Sequence, residues 1–199
     1  MMKKFGIILF AIGVVLMLYP PFTFFYSEYE QSKLRSIYSS QTLQISKSEN
    51  NKKHKISETS SFKSFDDNVF GIIEIPSINL SAVVIPGTSP EDLKKGPGWY
   101  TESALPGEGN TAIAAHRTTY GAWFFRLNQL KTGELIKLTS GNKVFTYRVE
   151  KVFIINKDDW SVINPCGYPA LTLTTCHPMG SSSERLVVRA RLIQSLPLN

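Results

Sequence analysis

Between residues 170 and 192 the chain reads ALTLTTCHPMGSSSERLVVRARL, two runs of period-two alternation divided by a loop of Pro, Gly and Ser. Strand side chains point alternately to opposite faces, so the pattern fixes which residues can look into a core. In the first run Leu171, Leu173 and Thr175 share one face, and Thr172, Thr174 and Cys176 share the other. In the second, Leu186, Val188, Ala190 and Leu192 lie opposite Arg185, Val187, Arg189 and Arg191. Cys176 and Arg185 therefore leave the core at the two lips of one loop. A thiol and a guanidinium so placed point toward nucleophilic chemistry. Arg189 and Arg191 read as salt-bridged strand-edge residues.

The same grammar begins at residue 65, where short Val/Ile-rich runs alternate with turn residues in the manner of a barrel or sandwich. Residues 69–75 and 80–85 read as strands joined through Pro76-Ser77, and Ser89 is placed to cap a short helix over 90–94. A tight loop, 106–110, leads into a strand over 111–116. Trp123, Phe124, Leu127 and Leu130 recur at helical spacing, which predicts a short helix over 121–130 packed on the barrel. Ser140-Gly141-Asn142, between strands over 134–139 and 143–156, is a hairpin signal. The connection 157–169 is long and irregular, with a helical turn expected over 158–163; connections of this length are often functional.

Ahead of the barrel the composition changes twice. Lys3 and Lys4 precede an uncharged apolar run from Phe5 to Tyr19, which Pro20-Pro21 interrupts before residues 22–26 continue apolar and aromatic. The stretch is about the length that crosses a bilayer as a helix. Lysines in front predict a cytoplasmic N-terminus with the remainder exported. No small-x-small cleavage site follows, so the segment reads as an uncleaved anchor rather than a signal peptide. Residues 27–64 are rich in Ser, Lys, Asn and Gln: a helical continuation over about 27–38, then a disordered tether. His54, within it, is a solvated linker histidine. The expected organisation is an anchor over 1–26, a polar tether over 27–64 and a folded domain over 65–199.

The formal charge is +6, but no basic helix or aromatic-interleaved patch concentrates it, so nucleic acid is not an expected partner. A basic surface facing an anionic cell envelope is the simpler use of that charge. Cys166 and Cys176 are the two cysteines; they form no paired CxxC metal motif and exclude a disulfide-rich scaffold. A bridge between them would consume the thiol that the polar face presents. Cys166 reads as a semi-buried thiol.

A cysteine nucleophile needs a base or cation that holds it as thiolate and carries a proton to the leaving group. Besides His54 there are two histidines. His177 adjoins Cys176, and neighbours in extended chain face opposite ways. His116 ends the strand TAIAAH on the side of the small Ala112 and Ala114, which leaves room beside it. His116 is the better-placed acid/base.

Taken in order, several segments resemble a sortase, one of the membrane-anchored cysteine transpeptidases of Gram-positive bacteria. The resemblance covers roughly residues 70–192. Gly71-Ile72-Ile73-Glu74-Ile75-Pro76 with Ile78 is similar to the family's opening strand, and Gly109-Asn110-Thr111 through Ala115-His116-Arg117 to its histidine motif. Phe125, Leu127 and Gly133-Glu134 match the following helix and strand. Thr172-Leu173-Thr174-Thr175-Cys176 looks like its L-x-T-C signature, and Arg185-Leu186-Val187-Val188 like its arginine strand.

The resemblance implies a mainly β fold, a closed or nearly closed eight-stranded barrel with short helices behind an N-terminal transmembrane helix. It implies that Cys176 attacks the threonine carbonyl of an LPxTG-like sorting signal to form a thioester, that His116 moves the protons, and that Arg185 stabilises the oxyanion or holds the peptide. It places recognition of the Leu-Pro portion on the connection before the cysteine strand, where Trp160, Val162, Ile163 and Tyr168 are the apolar candidates. Thr174 and Thr175 are candidate substrate contacts beside the nucleophile, and the loop 177–184 a candidate groove wall. Implied partners are surface proteins with a C-terminal sorting signal, an amine of a peptidoglycan precursor or other acceptor, and the membrane. The domain is expected outside the cell. No metal and no cofactor are expected. Cys176-His177-Pro178 and the compact size look most like class D, and no Asp-Pro-aromatic lid motif of a pilin polymerase is present. The alternatives are a thiol protease that hydrolyses the same motif, a pilin-polymerising sortase, and an anchored binding module.

Overall fold

The computed structural model describes residues 2–50 and 68–198. An N-terminal helix, α1 (Met2–Asn50), precedes a closed barrel of eight strands. These are β1 (Gly71–Ile75), β2 (Leu80–Pro86), β3 (Gly98–Trp99), β4 (Asn110–Ala114), β5 (Leu135–Ser140), β6 (Lys143–Asn156), β7 (Ala170–His177) and β8 (Glu184–Pro197). A short helix, α2 (Pro90–Lys95), lies between β2 and β3. Around the barrel the order is β1-β2-β3-β4-β7-β8-β6-β5, and β5 pairs back onto β1. The pairs β2–β3 and β4–β7 are parallel. The parallel β4–β7 pair sets the ends of the histidine-bearing and cysteine-bearing segments side by side.

Alternation sorts the interior as the sequence implies. Leu171, Leu173, Leu186, Val188 and Ala190 meet Ile73, Ile75, Ile113, Ile136, Leu138 and Tyr147 in one core cluster. Burying each of the larger aliphatics stabilises the fold by about 1.5–3 kcal/mol relative to exposing it. The polar face of β7 is also closed over: Thr172 and Thr174 are buried, the latter by a hydrogen bond between its Oγ1 and the Tyr100 hydroxyl at 3.2 Å. Ser89 caps α2 by accepting from the Asp92 amide, while the Asp92 carboxylate takes the Ser89 amide in return, a reciprocal box.

Three local expectations need correction. Residues 121–130 do not form an α-helix. Tyr120, Gly121 and Ala122 take positive φ values of 46°, 80° and 45°, which no right-handed helix accommodates, and only Leu127–Gln129 forms a 3-10 turn. Phe124, Leu127 and Leu130 still point inward, so successive tight turns imitate helical spacing. Second, α1 passes through Pro20 and Pro21. Each proline removes one backbone donor, and the Thr23 hydroxyl occupies the Pro20 carbonyl at 2.9 Å. Third, α1 continues to Asn50, so the start of the polar segment is helical well past residue 38. Residues 51–67, with His54 and Asp66-Asp67, lie outside the described part of the chain.

Candidate active site

Ala114 of β4 pairs with Thr174 of β7, so His116, two residues beyond β4, emerges level with Cys176. On the other side of β7, Cys176 and Arg185 are direct cross-strand partners. Cross-strand partners have Cβ atoms about 5 Å apart on the same face, so the thiol and the guanidinium are neighbours by register alone. His116, Cys176 and Arg185 line one groove of about 220 Å³, together with Thr174, Thr175, Trp160, Val162, Tyr100 and Leu93. Ile163 and Tyr168 do not line it, and neither does any residue of 177–184. Tyr168 is committed elsewhere: its ring lies 3.5 Å under the Arg191 guanidinium and its hydroxyl donates to the Glu150 carboxylate at 2.5 Å.

The groove encloses His116 part-way and carries Lys157 and Arg185 among its lining residues. Burial pushes the His116 imidazole below its ordinary value, and the positive charge of Lys94 pushes it the same way. Lys94 stands 5.9 Å from the centre of the Tyr120 ring, whose own centroid is 5.6 Å from that of His116. Arg185 is half-buried and donates from Nη1 to the carbonyls of Ser182 and Glu184, both at 3.0 Å. A guanidinium carries five N–H donors, so it can hold its own loop and still present donors to a substrate. Both cysteines are free; the Cys166 thiol reaches only the Tyr168 carbonyl, at 3.4 Å.

His177 is turned away by Arg117, whose role no local feature of the sequence announces. Arg117 is buried, and its Nη1 donates to the Cys176 carbonyl at 3.1 Å and meets His177 Nδ1 at 3.0 Å. Facing a guanidinium, Nδ1 has to accept, which leaves Nε2 as the ring donor. Burial lowers the Arg117 guanidinium from its ordinary value, with the Cys176 charge acting in the opposite sense. Arg117 directly follows His116, and strand alternation turns it to the opposite side, under the end of β7.

Asn110 is the second such residue. Its Nδ2 donates to the carbonyls of Val162 (2.7 Å) and Asn164 (2.9 Å), and its Oδ1 accepts from Thr172 Oγ1 at 2.6 Å. Arg189 joins it. It is buried rather than salt-bridged at an edge, and its Nη2 donates to the Val162 carbonyl at 3.3 Å. Arg191 does pair with Glu150, at 2.5 Å. The connection that carries Trp160 and Val162 is therefore stitched to the barrel from beneath. Trp160 itself is exposed and stands edge-on to Tyr100, ring centroids 6.3 Å apart.

Two predictions arise here. Asn110→Ala leaves the Asn164 carbonyl and the Thr172 hydroxyl without their side-chain partner and the Val162 carbonyl with Arg189 alone; the expected loss is about 2–3 kcal/mol, or roughly 5–10 °C in Tm, with KM for a peptide substrate rising as the connection loosens. Calorimetry and initial rates check both. Lys94→Met removes a positive charge that disfavours a second positive charge on His116. The His116 titration, followed by NMR of its ring protons, should move upward toward the ordinary histidine value while staying below it, because burial remains.

A thiol, an imidazole and a guanidinium converging on a groove at the strand ends of a closed barrel define an enzyme of acyl transfer through cysteine. The sortase-domain family model matches residues 73–193, more than half of the chain. The chain belongs to the sortase family and is a cysteine transpeptidase. It is 35% identical over 138 residues to Sortase D of Bacillus subtilis (strain 168), a match covering 67% of this chain and 68% of that protein. With Sortase A of Bacillus anthracis it shares 32% identity over 126 residues, 63% of this chain and 60% of the relative. Among solved structures, sortase E from Streptomyces avermitilis superposes with a TM-score of 0.60 at 36% identity, covering 66% of this chain and 91% of that one. Sortase E1 from Streptomyces coelicolor, solved with a tripeptide in its active site, gives 0.62 at 27% identity over 66% of this chain and 91% of that one.

Proposed function

We propose that this enzyme is anchored in the cell membrane by α1, with its N-terminus in the cytoplasm, and joins secreted proteins to the cell wall through an LPxTG-like sorting signal. The sequence would then divide into an anchor over 1–26, a polar segment over 27–64 whose first part, to Tyr38, packs on the barrel, and an extracellular catalytic domain over 65–199. The observation that carries the reading is the common groove of His116, Cys176 and Arg185, with Cys176 and Arg185 paired across β7 and β8. The Cys176 thiol gives its proton to His116 as its sulfur adds to the threonine carbonyl of the signal, and the carbonyl electrons move onto oxygen. When that tetrahedral centre collapses, the bond to the next residue breaks, the leaving amine takes that proton from His116, and a thioester remains on Cys176. An amine of a peptidoglycan precursor then adds to the thioester as His116 takes its proton; on collapse the carbon–sulfur bond breaks and His116 returns the proton to the Cys176 sulfur.

Arg185 supplies charged donors where the oxyanion forms, a role worth far more in a dry groove than in water. The small side chains of Ala114 and Ala115 leave room beside His116. Trp160, Val162, Thr174 and Thr175 are the substrate contacts the groove offers, and Tyr100 joins them as a rigid aromatic wall beside Trp160. The tripeptide held by the similar sortase E1 supports a peptide ligand.

Incubating the full chain in detergent with an LPETG peptide, with and without a peptide amine, tests the reading by mass spectrometry. The expected product carries the amine on the threonine carboxyl. Free acid alone, even at high amine, would make the enzyme a hydrolase of the same motif.

A further inference from the structure

α1 does not simply leave the membrane and wander off. Over residues 6–22 every described side chain is exposed, whereas Thr23, Ser27, Gln31, Leu34 and Tyr38, at three- and four-residue spacing, are buried against the barrel. The Gln31 carboxamide behaves as a missing strand for β2: it accepts from the Val83 amide at 2.8 Å and donates to the Val83 carbonyl at 3.0 Å, with a further bond to the Lys95 carbonyl at 3.1 Å. Ser27 Oγ donates to the Tyr120 carbonyl at 3.1 Å and accepts from the Trp123 indole at 3.2 Å. Gly96 and Gly121 make this approach possible, since a Cβ there would fall 2.2 Å from Gln31 Nε2 and 2.6 Å from Ser27 Oγ. The helix is a built part of the domain, so its register sets how high the barrel rides.

That height can be read off. A helix needs about 20 residues to cross the hydrocarbon core, and counting that many from Phe5 ends at Phe24. The barrel segment 119–126 touches α1 just past this point: the Tyr120 carbonyl and the Trp123 indole are both hydrogen-bonded to Ser27. Beside them, Phe24, Glu28 and Arg35 of the helix and Trp123, Phe125 and Arg126 of the loop line a groove of about 630 Å³. Phe125 is 45% exposed, and Arg126 is exposed next to it. A half-exposed phenylalanine, a tryptophan that packs partly on the barrel core and an arginine at the depth where lipid tails give way to headgroups match the chemistry of that layer.

We propose that residues 119–126 are a membrane-contact loop, with Phe125 and the Trp123 ring in the interface of the bilayer and Arg126 on anionic phospholipid headgroups. This rests on α1 spanning the membrane as proposed above. The loop begins three residues after His116, and the His116 and Tyr120 rings lie 5.6 Å apart, so the contact holds the catalytic groove close to the bilayer. The loop thereby favours substrates whose scissile segment lies near the membrane surface.

Two single-tryptophan forms of the full chain test this in vesicles of three parts phosphatidylcholine to one part phosphatidylglycerol. One keeps Trp123 (Trp99→Phe, Trp160→Phe) and the other keeps Trp160 (Trp99→Phe, Trp123→Phe). When a phosphatidylcholine with a nitroxide high on its acyl chain is included, the Trp123 form should lose about half its emission, as an interfacial indole does, and the Trp160 form should be unaffected. Adding Phe125→Ser and Arg126→Glu to the Trp123 form should restore most of that emission. Equal quenching of both forms, or none, in a chain that resists carbonate extraction overturns the contact and leaves the span standing. Unchanged quenching in the quadruple variant overturns the roles of Phe125 and Arg126. Release of the chain by carbonate overturns the span and the contact with it.

Discussion

Cys176→Ala should lower transpeptidation by about 10⁴-fold or more, the scale seen when a nucleophile is removed from a unit that acts together, while leaving the melting temperature nearly unchanged. The two halves of that expectation come from different parts of the structure. Cys176 is half-buried at the outer end of β7, and its backbone pairing with Arg185 does not involve the thiol. Truncating it opens no core cavity, because the residues that fill the barrel on β7 are Leu171 and Leu173. What is lost is the thiol proposed to take the acyl group beside His116. The second cysteine cannot substitute, since Cys166 lies outside the groove and faces the Tyr168 carbonyl. Rates with a sorting peptide and an amine, alongside a thermal melt, check both halves.

His116→Gln should cost about 10²–10⁴-fold, the usual contribution of a positioned acid/base, with little rise in KM. Glutamine fills similar space and can hydrogen-bond, but it cannot give a proton to the departing amine or take one from the incoming amine. The neighbouring histidine offers no rescue. Arg117 holds His177 Nδ1 at 3.0 Å, and His177 lies outside the groove. His177→Gln is the matched control, and its activity should stay close to that of the parent. The two variants assayed side by side separate the assignment of the base from any general effect of losing a histidine near the thiol.

The strands and the three groove residues were legible because alternation is a strict rule. One residue of slip would have put Cys176 in the core and Leu173 outside, so the pattern of 170–192 left little freedom. His116 followed from the same parity, on the side of Ala112 and Ala114. Where turns replaced regular structure, legibility fell. Phe124, Leu127 and Leu130 are spaced as on a helix, yet the left-handed Tyr120 and Ala122 make the segment a chain of turns, and nothing in those two residue types announces positive φ. Polar groups that act through long-range partners were also hidden. Asn110 bonds residues 52 and 54 positions away, and Arg117 reaches the end of β7 59 positions on. Gln31 was the hardest to foresee. A lone glutamine in a polar segment carries no local sign that its carboxamide will complete the exposed edge of β2.

Whether the acyl group rides on the Cys176 sulfur is read most directly by intact-protein mass spectrometry with peptide mapping. After brief exposure to a sorting peptide without amine, the protein should gain the mass of the acyl fragment, carried on the proteolytic peptide that contains Cys176 and released by hydroxylamine as a thioester is. Cys176→Ala should show no adduct. An adduct on Cys166, or turnover of the peptide by Cys176→Ala at the parent rate, would contradict the account.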